Sequence, residues 1–271
     1  MARRFEGKTV VVTGASSGVG AAAARAFAAE GAKLVLAARD AEALAAVAKE
    51  IGGGAVAVPT DVADPEAARA LLEQAEWAHG AVHVLVNNAA VNHRGPVETV
   101  EAADLAQIVE VNLRAPIVLT RLALPYLRKS GGGAVVNVAS LAGQVPLPEE
   151  ATYSATKFGL RAFTYALADE LRGSGITVSV VSPGPIDTGF ISNDLDHVPD
   201  LVFSQPISSP EQVAKAVLDC AADGRVERTI PQLSGLLATA GYLFPALPRA
   251  IRPLLEAQGR RGKARYRARR G

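Results

Sequence analysis

The chain has 271 residues, of which 49% are hydrophobic, 20% charged and 5% aromatic. That is enough to bury one large core, and too apolar for a disordered chain. A formal net charge of +1 advertises no nucleic-acid partner, because a phosphate backbone selects a basic domain.

In chain order, Met1–Lys8 carries basic residues without the apolar stretch of a signal peptide. No run of about 20 uninterrupted apolar residues follows, so a cytoplasmic location is expected. β-rich runs predict strands over Thr9–Thr13, Lys33–Ala38, Ala55–Pro59, Val82–Asn87, Ala134–Ser140, Thr177–Ser182 and Arg228–Pro231. Alanine-rich stretches between them predict helices over Val19–Glu30, Ala41–Ile51, Pro65–Ala78, Ala102–Tyr126, Thr152–Arg172 and Pro210–Ala221. Alternation of this kind implies right-handed crossovers. The expected class is α/β: a Rossmann-type doubly wound parallel sheet of about seven strands, with helices on both faces. Residues 1–231 are expected to form one domain, and 232–271 a helical, basic C-terminal extension.

Thr13-Gly14-Ala15-Ser16-Ser17-Gly18-Val19-Gly20 joins the first strand to the first helix. Glycines there let the backbone turn tightly and approach a pyrophosphate, and the helix N-terminus offers free N–H groups and partial positive charge. The spacing is Gly-x-x-x-Gly-x-Gly, not the commoner Gly-x-Gly-x-x-Gly. Its place between strand and helix favours dinucleotide binding over a plain turn. The second strand ends at Ala38, with Arg39 and then Asp40. A guanidinium there suits the 2′-phosphate of NADP, so NADP(H) is expected over NAD(H). The competing reading makes Arg39 a solvated residue and Asp40 a helix cap. Asp61-Val62 after the third strand is equally readable as an adenine contact or as a turn, with Asp64 as a cap.

Tyr153 and Lys157 stand four apart on a predicted helix, so phenol and ammonium share one face. A nearby cation favours phenolate, and the pair is suited to acid–base work on an alcohol or ketone.

Together these residues resemble the short-chain dehydrogenase/reductase family, in its single-domain branch. The resemblance rests on Thr13–Gly20, Asn87-Asn88-Ala89-Ala90, Asn112, Ser140, Tyr153 with Lys157, and Pro183-Gly184, in the family's order from the first strand to about Thr188. Ala90 stands where the family usually has glycine. The resemblance implies an NADP(H)-dependent oxidoreductase interconverting a carbonyl and an alcohol. Tyr153 would be the general acid and base, Lys157 would lower its pKa and bind the nicotinamide ribose, and Ser140 would hold the substrate oxygen. Asn112 would hold a water linking Lys157 to solvent. Asn87 would brace the central sheet. Asn88, Ala89, Pro183, Gly184, the Ile186 backbone and the Thr188 hydroxyl would complete the cofactor site.

Leu141, Val145 and Phe190 are the expected substrate contacts, under a mobile lid at 189–209. They imply a hydrophobic small-molecule carbonyl or alcohol. A homodimer or homotetramer is the family's usual assembly. The runner-up readings are a catalytically silent NADP-binding regulator, and an epimerase or dehydratase of the longer family branch. The retained Tyr, Lys and Ser argue against the first, and the short C-terminal part against the second.

One cysteine, Cys220, excludes an intrachain disulfide. His79 and His83 are four apart, but His83 opens a strand, so no metal site is expected. From Pro248 to Gly271 nine Lys/Arg face one acid, Glu256. The apolar stretch Leu233–Pro245 ahead of them is expected to cover the protein's own core or a partner subunit, because Pro231, Pro245, Pro248 and Pro253 divide the segment. Contact with an anionic membrane surface is the less favoured reading.

Overall fold

A computed structural model describes residues 3–244 and 246–268. Seven strands form one sheet: β1 (Thr9–Thr13), β2 (Lys33–Ala38), β3 (Val56–Pro59), β4 (Val84–Asn87), β5 (Gly133–Val138), β6 (Ile176–Pro183) and β7 (Glu227–Ile230). Their order is β3-β2-β1-β4-β5-β6-β7, and every pairing is parallel. β1, Thr-Val-Val-Val-Thr, is buried throughout, as a strand covered on both faces must be.

Alternation along β1 sorts the helices. Val10 and Val12 pack with residues of α1 (Gly18–Ala29), α2 (Ala41–Ile51) and α8 (Pro210–Asp223). Val11 faces the other way, towards α3 (Pro65–His79), α5 (Ala115–Lys129) and α6 (Ala151–Glu170). Capping fixes several helix starts. Asp40, Asp64 and Ser209 accept from the backbone N–H of Ala43, Glu66 and Gln212, and Pro65 and Pro210 open α3 and α8. Strand order reverses between β1 and β4, which opens a crevice at their carboxyl ends.

The helix expected over Ala102–Tyr126 is not uniform. It runs as α4 (Ala102–Val109), a π-helical turn (Glu110–Arg114) and α5. A one-turn π segment admits an extra residue without ending the helix, and here it contains Asn112.

The C-terminal extension also differs from expectation. After the short α7 (Gly189–Ser192), α9 spans Gln232–Leu243 and α10 spans Ala246–Ala268, with Pro253 inside α10 rather than ending it. The distal half of α10 is pinned. Gly259 and Gly262 lie flat against the carbonyls of Asp200 and Phe203, where a Cβ would collide. Tyr266 packs with Ile191, Val198 and Phe203, and donates to Asp187 Oδ1 at 2.7 Å. Pro245, Arg269 and Arg270 lie outside the described residues.

Among the described residues no helix is long and apolar enough to cross a membrane, and no group of three His, Cys, Asp or Glu is placed to hold a metal. His83 Nδ1 accepts the Thr9 N–H at 3.0 Å, and His79 lies 3.4 Å from the Leu34 carbonyl, so the two histidines serve separate backbone contacts. Cys220 is buried, and burial pushes its thiol up to about 11.

Candidate active site

A cavity of about 1240 Å³ lies over the carboxyl ends of the strands and runs from the glycine loop to α9 and α10. Its first wall is the loop itself. Gly14 and Gly18 have φ of +64° and +54°, which suits glycine rather than other L-residues. Ser17 is the N-cap of α1 and its side chain makes no cap bond, while the first turn carries no acid. The positive end of α1 therefore faces the cavity uncompensated. Gly14, Ser16, Ser17, Gly18 and Val19 line the wall as expected.

Gly20 stands behind it, against the Gly14 carbonyl, and is a packing residue rather than a lining one. Asn88 lines the cavity beside Ala89, yet its amide is a strut. Nδ2 donates to the carbonyls of Thr13 at 2.9 Å and Gly14 at 3.2 Å. Ala90 fits without strain, because Glu149 is the one non-glycine residue with positive φ among those described.

At the far end of the loop, Arg39, Asp61 and Val62 line the cavity. Arg39 is exposed and forms no ion pair among the described residues. Asp40 is occupied in capping α2. Asp61 accepts from Ala63 N at 3.0 Å, so it serves the turn as well as the wall.

The opposite wall carries Ser140, Tyr153 and Lys157, with Leu141, Val145, Pro183, Gly184, Ile186, Thr188 and Phe190 around them. Ser140 follows β5, and its Oγ accepts from Ala142 N at 3.1 Å. α6 sets Tyr153 beside Ser140 and sends Lys157 Nζ to the Val138 carbonyl at 2.9 Å. Burial governs both ionisations. It pushes the Tyr153 phenol well above its ordinary value, reinforced by the Glu150 charge and only partly offset by Ser140 and Arg94. It pushes Lys157 down to about 8. The expected lowering of the tyrosine pKa by Lys157 is therefore not what the chain's own groups produce. Each charged form is disfavoured by burial, and the ammonium bonds to a carbonyl.

Asn112 is fully buried and does not line the cavity. Its Oδ1 accepts from Val91 N and its Nδ2 donates to Val91 O, both at 2.8 Å. The side chain fixes the segment after Asn88-Ala89-Ala90, spending one of its two N–H donors and one lone pair of its oxygen on Val91.

Sequence reading missed two clusters. Arg94, with its side chain 5% exposed, donates to Glu150 Oε1 at 2.7 Å and Asp194 Oδ2 at 3.0 Å, and lies 5.2 Å from the Phe190 ring centroid. Burial raises the Glu150 carboxyl against the pull of Arg94. A signal existed, since Glu150 precedes Tyr153 by three residues, one helical turn. The second cluster centres on Glu227 of β7. It accepts from Arg161 Nε at 2.9 Å, Gln144 Nε2 at 2.8 Å, Ser182 Oγ at 2.9 Å and Tyr165 OH at 2.7 Å. Burial would raise this carboxyl, but these donors hold it below the usual range. The cluster ties α6 to β6, β7 and the loop after Ser140, which sets Tyr153 and Lys157 against Ser140.

The lid segment is held from two sides. Arg94 grips Asp194, while Lys263 Nζ donates to the Val198 carbonyl at 2.8 Å. Within this segment Phe190, Ile191 and Val202 line the cavity, while Phe203 packs with Tyr266.

The family profile for short chain dehydrogenases matches residues 8–198. The chain belongs to that family. As a short-chain dehydrogenase it is an NAD(P)-dependent oxidoreductase acting on CH–OH and C=O groups. It is 37% identical over 249 residues to the ketoacyl reductase HetN of Nostoc sp., covering 88% of this chain and 86% of that one. It is 34% identical over 230 residues to a cis-4-hydroxycyclohexanecarboxylate dehydrogenase of Sinomonas cyclohexanicum, covering 82% and 92%. The structure of a 3-ketoacyl-(acyl-carrier-protein) reductase from Brucella melitensis complexed with NADH superposes with a TM-score of 0.77 at 31% identity, over 84% of this chain and 98% of that one. A metagenomic short-chain oxidoreductase in complex with NADP gives 0.71 at 34% identity, over 83% and 97%.

Proposed function

We propose that the protein is an NADP(H)-preferring carbonyl reductase in which Tyr153 is the proton donor. The observation that carries this reading is the Tyr153–Ser140 pair facing the cavity, with the phenol held in its acid form. At neutral pH a phenol held neutral is ready to protonate a ketone oxygen. Ser140 is placed to hydrogen-bond that oxygen and orient it towards Tyr153. Lys157, charged below about 8, stabilises the phenolate left once the proton has gone. The oxidation direction uses the same groups in reverse.

The cavity fits a nicotinamide dinucleotide. The Gly14–Val19 loop and the free end of α1 suit its pyrophosphate, Asp61 and Val62 its adenine, and Arg39 a 2′-phosphate. Asn88-Ala89 and the Pro183–Thr188 segment would hold its nicotinamide half beside Tyr153 and Lys157. The bound cofactor supplies or takes the hydride. Asn112 acts through Val91 as a positioning residue. Leu141, Val145 and Phe190 make the substrate end apolar, and a hydrophobic carbonyl fits it. Residues 1–231 then form the catalytic unit, and 232–271 an extension that closes its substrate end.

A carbonyl panel with NADPH, followed by absorbance, tests the activity, and no turnover of any member would count against it. Cofactor choice rests on Arg39. NADP(H) is expected to bind more tightly than NAD(H), and Arg39→Asp to narrow or reverse the order. A charge-assisted phosphate contact contributes on the order of 1.5–3 kcal/mol, roughly tenfold or more in affinity. Equal Kd values for the two cofactors in the unsubstituted enzyme would sink the assignment.

The pH dependence follows from Lys157. Its ammonium is charged below about 8 and neutral above. The reduction rate is therefore expected to be level on the acid side of that value and to fall on the alkaline side. Lys157→Arg, whose charge persists, should move the fall upward. A rate level to well above that pH would remove the Lys157 charge from the reaction.

A further inference from the structure

Large apolar side chains are bare along α9 and its junction with α10. Leu236 is 70% exposed, Leu243 65%, Phe244 66% and Leu254 70%, in one contiguous stretch of chain. Elsewhere such residues are scattered singly, as Trp77 and Val97 are. A cluster of this kind marks a contact surface. It adjoins the cavity, because Leu233, Leu237 and Tyr242 of α9 line the cavity together with Arg252 and Leu255 of α10.

Charge decides what it contacts. On α10, Leu254, Arg261 and Arg265 recur at i, i+7 and i+11 and share one helical face. Arg260, Arg261 and Arg265 form no ion pair among the described residues. Arg252, Lys263 and Arg267 are committed to Glu256, Asp200 and Asp196. A second copy docked about a twofold axis would set this patch against itself, cation facing cation. A bilayer containing anionic lipid takes the leucines into its acyl boundary and the arginines at its headgroups.

We propose that α9 and the outer face of α10 dock the protein on an anionic lipid bilayer, with the mouth of the cavity at the lipid surface. Resting on the reading of the cavity as a carbonyl reductase site, the substrate is a long-chain, bilayer-partitioned ketone or alcohol that enters between the two helices.

The test is co-sedimentation of the full-length protein with vesicles of phosphatidylcholine alone, or of phosphatidylcholine mixed with phosphatidylglycerol, at low and high salt. Binding is expected to the mixed vesicles and to weaken as salt rises. Leu236→Glu with Leu243→Glu, and separately Arg261→Glu with Arg265→Glu, should each lower the partition coefficient roughly tenfold or more. None of these four residues lines the cavity, so turnover of a short water-soluble ketone and the thermal midpoint should be unchanged. Equal sedimentation of all three proteins would overturn the proposal, as would equal binding to both vesicle types. So would a wild-type dimer that the leucine substitutions split on size exclusion, since that assigns the face to a second copy. Vesicle binding without turnover of any carbonyl would leave the docking surface standing and remove only the catalytic reading.

Discussion

Tyr153→Phe is expected to lower kcat for carbonyl reduction by roughly 100- to 10,000-fold, the usual contribution of a positioned general acid. The substitution removes one oxygen and little else. The ring stays in its cluster with Ile108 and Ala142, and 6.0 Å from the Phe190 ring. The hydroxyl lies beside Ser140, so its loss is expected to change the stability of the fold by no more than about 1 kcal/mol. Cofactor Kd should hold at the wild-type value, because the loop, Arg39 and Lys157 are untouched. Lys157→Ala should instead damage both turnover and binding, since its charge sits in the wall shared by the two. Stopped-flow single turnovers with cofactor titrations separate the two cases. A Tyr153→Phe enzyme of normal rate would refute Tyr153 as the proton donor.

What could be read from the sequence was what is local. Gly14, Gly18 and Gly20 are punctuation between a strand and a helix, and Tyr153 with Lys157 sits within one helical turn, so spacing alone places them. The sheet follows from the same kind of signal, since each β-rich run is as short as a strand and the first three are bounded by glycine or a turn residue. The networks that position the site were hidden because their members are far apart. Arg94 meets Glu150 across 56 residues and Asp194 across 100, and Glu227 draws on Arg161 and Gln144 across 66 and 83. The π turn at Asn112 was hidden for a different reason. Glu110-Val111-Asn112-Leu113-Arg114 is ordinary helical sequence, and the Val91 backbone that Asn112 grips lies 21 residues away along the chain. Pro253 misled for a third reason. Proline's cost is local, but α10 is held by Gly259, Gly262 and Tyr266 against the lid, and tertiary contacts outweighed it. The Tyr153 pKa shows the limit of pairwise reasoning. A cation four residues away was counted, while the burial of both groups, which a sequence does not display, was not.

Gly20→Ala is the other substitution of large expected effect, although Gly20 touches no ligand space. A Cβ there would lie 2.6 Å from Asn88 Nδ2 and closer still to the Gly14 carbonyl. Neither neighbour is free to yield. Asn88 is anchored to the Thr13 and Gly14 carbonyls, and Gly14 is held at positive φ between β1 and the loop. The loop must therefore move outward into the cavity wall that it forms. Overpacking of this kind costs about 1–3 kcal/mol of stability. A shift of about 1 Å in a positioning element costs on the order of 100-fold in kcat/KM. Both effects are expected together, with cofactor Kd weakened and the thermal midpoint lowered. Gly80→Ala is the control. That glycine also has positive φ, +79°, in the left-handed region, but a Cβ there meets no atom within 4 Å. It should cost only the left-handed strain, about 1 kcal/mol, and leave cofactor Kd alone. Titration calorimetry and thermal melts on the two variants separate loop displacement from backbone strain. If Gly20→Ala bound cofactor like the unsubstituted enzyme, the close packing of Gly20 on Gly14 would have no part in shaping the cofactor wall.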